Sequence, residues 1–99
     1  MTIEHRRQCR NAMWNWGLIE QQQNDIHNAC WAYALRKTAA YYERTDPIRS
    51  GIIRERYRHH LTEEQVVERL HIGRTTYQKA NSDLLSTLAV YAAQIGALS

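Results

Sequence analysis

The sequence predicts an all-α fold, a small helical domain, on three observations. Apolar residues recur at three- and four-residue spacing along most of the chain, as they do in helices that bury one face. Only four Gly and one Pro interrupt the 99 residues, too few for a sandwich or barrel, which needs a turn signal every ~8–12 residues. Phe is absent, β-branched runs are few, and Ala, Leu, Arg, Glu and Gln are plentiful, a composition that favours helix. With 43% hydrophobic and 23% charged residues, the chain can build one core, and 1–99 reads as a single domain.

The first helix is expected over roughly residues 2–16. Cys9, Ala12, Met13 and Trp16 stand at i, i+3, i+4 and i+7, Arg6, Arg7 and Arg10 face elsewhere, and Gly17 reads as the stop. A longer helical stretch follows from about 18 to 43, with Gln21-Gln22-Gln23-Asn24-Asp25 either breaking it or forming an exposed first turn. Ile26, Ala29, Cys30, Tyr33 and Ala34 make one stripe on it, and Trp31, Leu35, Thr38 and Tyr42 make a second. A helix apolar over so much of its circumference is either central to the core or covered by a second copy. Trp31, Leu35 and Tyr42 are therefore expected to leave aromatic surface for a homodimer contact. Thr45-Asp46-Pro47 is the clearest boundary, since Asp46 can cap and Pro47 suits a first helical position. It separates an N-terminal region, 1–45, for core and self-association, from a C-terminal region, 48–96. The next helix, about 48–59, should turn Ile48, Ile52, Ile53 and Tyr57 inward and its arginines outward.

That helix holds most of the information in the charge. The chain carries 13 Lys+Arg against 10 Asp+Glu, formally +3, which alone announces no partner. Within 48–60, however, Arg49, Arg54, Arg56 and Arg58 oppose Glu55 alone, with His59 and His60 beside them. Such a surface suits a phosphate backbone.

Residues 61–88 carry the motif. Thr62 and Gln65 form a capping box opening a short helix whose apolar face is Val66, Val67 and Leu70. His71-Ile72-Gly73 breaks the period. A second helix then begins at Arg74, with Tyr77, Ala80, Leu84, Leu85 and Leu88 on its apolar side. Helices over 62–70 and 74–92 joined by a tight turn, with no β-sheet, make a helix-turn-helix. The second helix packs by one side and offers the other to base edges: Arg74 to guanine, Gln78 to adenine, Lys79 to guanine or phosphate, Thr75 to phosphate or a thymine methyl, and Ser82 beyond them. Arg54, Arg56, Arg58, His60, Thr62 and Thr76 are the expected phosphate contacts. The expectation is therefore a sequence-specific double-stranded DNA-binding protein. An αα-hairpin that only packs a bundle is the alternative reading of the same residues.

The stretch RYRHHLTEEQVVERLHIGRTTYQKANSDLL resembles the helix-turn-helix of sigma-factor region four. With IIRERYRHH before it, it is more similar to the small phage and prophage regulators of the ArpU and RinA type. Arg56-Tyr57, Leu61-Thr62, Glu64, Leu70, Ile72, Thr76, Tyr77 and Leu85 carry the resemblance, which covers about half the chain. It implies a transcriptional regulator of phage or prophage origin, a late-gene activator working alongside RNA polymerase. Three positions depart from the family's pattern. His71 stands where Gly usually takes a left-handed backbone, Gly73 where Ser or Thr caps the second helix, and Val67 where a small Ala lets the helices approach. Two other classes remain open: a small terminase-like DNA-packaging subunit, and a helical adaptor that binds only protein.

Other chemistries find no footing. The five His are scattered without an HExxH, and Cys9 and Cys30 lack CxxC spacing, so neither a metal site nor a disulfide is expected. Trp14, Trp16 and Trp31 sit among small apolar residues and read as core. There is no Gly-rich phosphate loop, no Ser/His/Asp arrangement and no striped carboxylate pair, so neither an enzyme nor a cofactor is expected. The N-terminus MTIEHRRQCR has no apolar h-region, and no stretch approaches ~18 uncharged apolar residues. The expectation is a cytoplasmic protein without membrane contact.

Overall fold

A computed structural model describes residues 1–99 as helices joined by short turns, with no strand. The elements are α1 (Ile3–Trp14), α2 (Trp16–Gln21), α3 (Ile26–Thr45), α4 (Pro47–Ile52) running on into a π-helical segment (Ile53–Arg58), α5 (Glu63–Leu70) and α6 (Arg74–Gln94). No helix is long and apolar enough to cross a membrane.

Side-chain caps start most of these helices, as the sequence pattern requires. Thr2 accepts from the His5 N–H, Asp25 from those of His27 and Asn28, and Asp46 from that of Arg49, with Pro47 next in the first turn. The chain bends at Asn15, whose N–H bonds to the Asn11 carbonyl before α2 begins. Gly17 is therefore not a stop. It lies inside α2, and the expected helix from 18 to 43 is divided between α2 and α3 by the polar run at 22–25.

The core is one continuous cluster, with α3 and α6 as its central pair and α1 laid across α6. Cys9, Ala12, Met13 and Trp16 are all buried, as the stripe on α1 predicts. On α3 the two stripes behave differently. Trp31, Leu35, Thr38 and Tyr42 are buried within the protomer itself, whereas Ile26 and Tyr33 are exposed. The aromatic surface expected of Trp31, Leu35 and Tyr42 does not exist, because α1, α2 and α6 already cover it. The Tyr42 hydroxyl meets Thr87 and donates to the Asp83 carbonyl, fixing α3 on α6.

Ile52, Ile53 and Tyr57 face inward as expected, but Ile48, in the first turn after Pro47, is exposed. After Ile52 the helix widens: the His59 N–H reaches the Arg54 carbonyl at 3.0 Å, and the Leu61 N–H the Glu55 carbonyl at 3.0 Å. Glu55 is buried with Ile53 and Tyr57, although nothing in the periodicity of 48–60 places a carboxylate there. Gly51 is a close-approach position. A Cβ there would stand 3.0 Å from Cδ2 of Leu70, so an added methyl would have to displace the end of the Leu70 side chain by a few tenths of an ångström.

Candidate nucleic-acid interface

The unit from Thr62 to Gln94 is assembled locally. Thr62 Oγ1 accepts from the Gln65 N–H at 3.2 Å, and Gln65 Oε1 accepts from the Thr62 N–H at 2.9 Å, closing the capping box at the start of α5. Val66 is fully buried, while Val67 and Leu70 are half-buried. At the far end His71 takes a left-handed backbone, φ 54 and ψ 45. The N–H of Ile72 then returns to the Val67 carbonyl at 3.2 Å, and half-buried Ile72 holds the turn against the core. Gly73 begins α6 from an extended conformation and provides no side-chain cap.

Tyr77, Ala80, Leu84, Leu85 and Leu88 are buried on α6. Burial pushes the Tyr77 phenol up to about 12. The opposite side of the first two turns is free, with Arg74, Thr75, Gln78 and Lys79 all exposed. Arg74 makes one loose ion pair, 3.9 Å to Glu64, between two solvent-exposed side chains, an interaction worth little in water. Ser82 is different. It is half-buried, and its hydroxyl accepts from Nη1 of Arg6 at 3.3 Å, because α1 lies across α6 at that turn. Thr76 is exposed, about 160° around the helix from Gln78 at 100° per residue.

The basic segment before α5 is largely engaged within the molecule. The Arg56 guanidinium lies 4.8 Å from the Trp14 ring centre and donates to the Leu61 carbonyl at 2.7 Å. Arg58 lies 4.7 Å from the Trp16 ring centre and pairs with Glu20 at 3.2 Å. His60, also at positive φ, stacks on Trp14 with ring centres 4.1 Å apart, and its Nε2 meets the Trp14 carbonyl oxygen at 3.0 Å. Arg54 pairs with Glu55 at 3.3 Å. The same buried carboxylate takes His59 at 3.1 Å and Arg69 of α5 at 3.1 Å. Arg49 bridges Asp46 and Asp83; burial pushes the Asp46 carboxyl up, and the backbone N–H and guanidinium of Arg49 outweigh it and hold the carboxyl below its ordinary value. Thr62 is committed to its cap.

The structure thus leaves Arg74, Thr75, Gln78 and Lys79 exposed on one side of α6, with exposed Thr76 at its edge, whereas Arg54, Arg56, Arg58, His60, Thr62 and Ser82 are engaged within the molecule. The difference has a physical cause. Trp14, Trp16 and Glu20 arrive from α1 and α2, and a periodicity reading of 48–60 contains no sign of that crossing. Arg6 and Arg10 stand on the polar side of α1, and periodicity carries no sign that this side adjoins α6. No three His, Cys, Asp or Glu side chains stand grouped as could hold a metal ion. Comparison with known proteins returned no matching protein-family model, no matching curated protein and no matching solved structure.

Proposed function

We propose that this chain is a sequence-specific double-stranded DNA-binding regulator of transcription, with α5 and α6 as its helix-turn-helix and α6 as the helix that enters the major groove. The observation that supports the reading is the free face of α6. Two guanine- or adenine-reading side chains, Arg74 and Gln78, stand one turn apart with Thr75 and Lys79 beside them, on a helix anchored by buried Tyr77, Ala80 and Leu84. The resemblance to ArpU- and RinA-type phage regulators agrees with it and extends it to late-gene activation beside RNA polymerase. Pairing of two copies on DNA follows from the small number of bases one such helix reaches, and not from the buried stripe of α3.

The test begins by selecting a preferred site from random duplexes. Arg74→Ala and Gln78→Ala should each weaken binding to that site by roughly 1–3 kcal/mol while leaving random DNA almost unaffected, since base-edge pairs carry discrimination. Equal losses on selected and random duplexes would show that α6 does not read bases. One observation favours a second reading, an adaptor that binds only protein. Tyr33, Tyr41, Val90 and Ile95 are exposed away from Arg74, and that reading requires duplex DNA to give no salt-dependent signal at all.

A further inference from the structure

We infer that α1 is part of the DNA-contacting surface, and that Arg10, with Arg56 behind it, receives a backbone phosphate alongside α6. The inference rests on the DNA-binding reading above and specifies which flank of α6 the duplex backbone follows. The two flanks differ sharply in charge. On the side of α4, Arg49 is held between the carboxylates of Asp46 and Asp83, so the guanidinium is neutralised and an acidic surplus remains. On the side of α1, Arg6 reaches Ser82, and neither Arg6 nor Arg10 makes an ion pair.

Arg10 opens on a cleft of about 210 Å³ between α1, the π-helical segment, α5 and α6, with Trp14, Arg56, Tyr57, Glu63 and Asn81 around it. Its donors suit a phosphodiester. Arg56 gives one N–H to the Leu61 carbonyl while its Cζ lies 4.8 Å from the Trp14 ring centre, leaving further guanidinium N–H groups on a side chain already fixed in position. Tyr57 donates to Oδ1 of Asn81, which leaves the amide nitrogen of Asn81 as a donor. Glu63 is the one acid on the cleft wall. Asn81 is three residues beyond Gln78, about 4.5 Å along the helix axis, so a phosphate held here is adjacent to the base-reading turn. Arg54 and Arg58 line a different groove with Ala39 and Glu43 of α3 and already have acidic partners.

The experiment measures the affinity of the full chain for one random duplex between about 50 and 200 mM salt. Each phosphate contact contributes about 0.9 to the logarithmic salt slope. Arg10→Ala should therefore flatten the slope by about one, and the wild type should lose about 3.5-fold more affinity than the variant across that range. Arg10→Lys should restore most of the slope, Glu63→Gln should tighten binding, and Arg58→Ala should leave the slope unchanged. Arg10 and Glu63 are both exposed, and unchanged melting of these variants confirms that folding is not what is being read. A wild-type slope retained in Arg10→Ala but reduced in Arg58→Ala would overturn the inference and leave the DNA-binding reading intact. Absence of any salt-dependent duplex binding by the wild type would overturn both.

Discussion

His71 and His60 are the two non-glycine residues with positive φ, 54 and 57, and their side chains separate backbone strain from side-chain anchoring. A left-handed residue other than Gly costs roughly 1–2 kcal/mol, with His at the lenient end. Replacing it by Gly removes that cost but gives the unfolded chain about 0.4–1 kcal/mol more conformational entropy to lose. His71 is exposed and makes no side-chain hydrogen bond or ring contact, so His71→Gly should stabilise the protein by about 0.5–1 kcal/mol. At this chain length that gain raises the melting temperature by about 2–8 °C. His60→Gly gains the same relief and loses more. Its imidazole stacks on Trp14 at 4.1 Å with the planes 21° apart, and it bonds the Trp14 carbonyl. Those contacts are worth roughly 0.5–1.5 kcal/mol each, so His60→Gly should be destabilising by roughly 0.5–2 kcal/mol net. Urea unfolding of both variants, compared at constant m, reads the difference directly. Shifts of the same sign and size would refute the separation, and a less stable His71→Gly would show that the turn is not strained.

Thr62→Ala should cost about 1 kcal/mol by opening the capping box, and Thr62→Ser should recover most of it in a denaturant midpoint. Neither should alter the salt slope of DNA binding, because the hydroxyl is committed to the Gln65 N–H. Stability should also fall at alkaline pH. Burial pushes the Cys9 thiol from 9.0 to about 11 and the Tyr77 phenol from 10.0 to about 12. Both groups acquire charge on losing a proton, so their stabilisation is complete below the unfolded values. It is lost from about pH 9 through 11 for Cys9 and from about pH 10 through 12 for Tyr77. A urea midpoint that stays flat from pH 9 to 11 would contradict this.

What the sequence made legible follows from the range of each interaction. The capping box of α5, the left-handed turn at His71, the uncapped start of α6 and the free side of Arg74, Thr75, Gln78 and Lys79 depend on residues within a few positions of each other, and each could be read locally. Periodicity also found the buried stripe on α3, but periodicity says that a face is covered and not by what. The covering of Trp31, Leu35 and Tyr42 comes from other helices of the same chain, so the stripe gave no sign of a second copy. The engagement of the charge in 48–60 lies outside periodicity for the same reason, at longer range. The counter-charge and aromatic surface that engage Arg56, Arg58 and His60 lie about 40 residues away, on Trp14, Trp16 and Glu20. Glu55, a single acid among four arginines, read as a minor correction to a basic surface, and it is the buried point on which Arg54, His59 and Arg69 converge. An arginine count therefore overstates the charge such a segment can offer a ligand. The cations that count are those without an acidic partner after folding, which around the α1 flank of α6 are Arg6, Arg10 and Arg56.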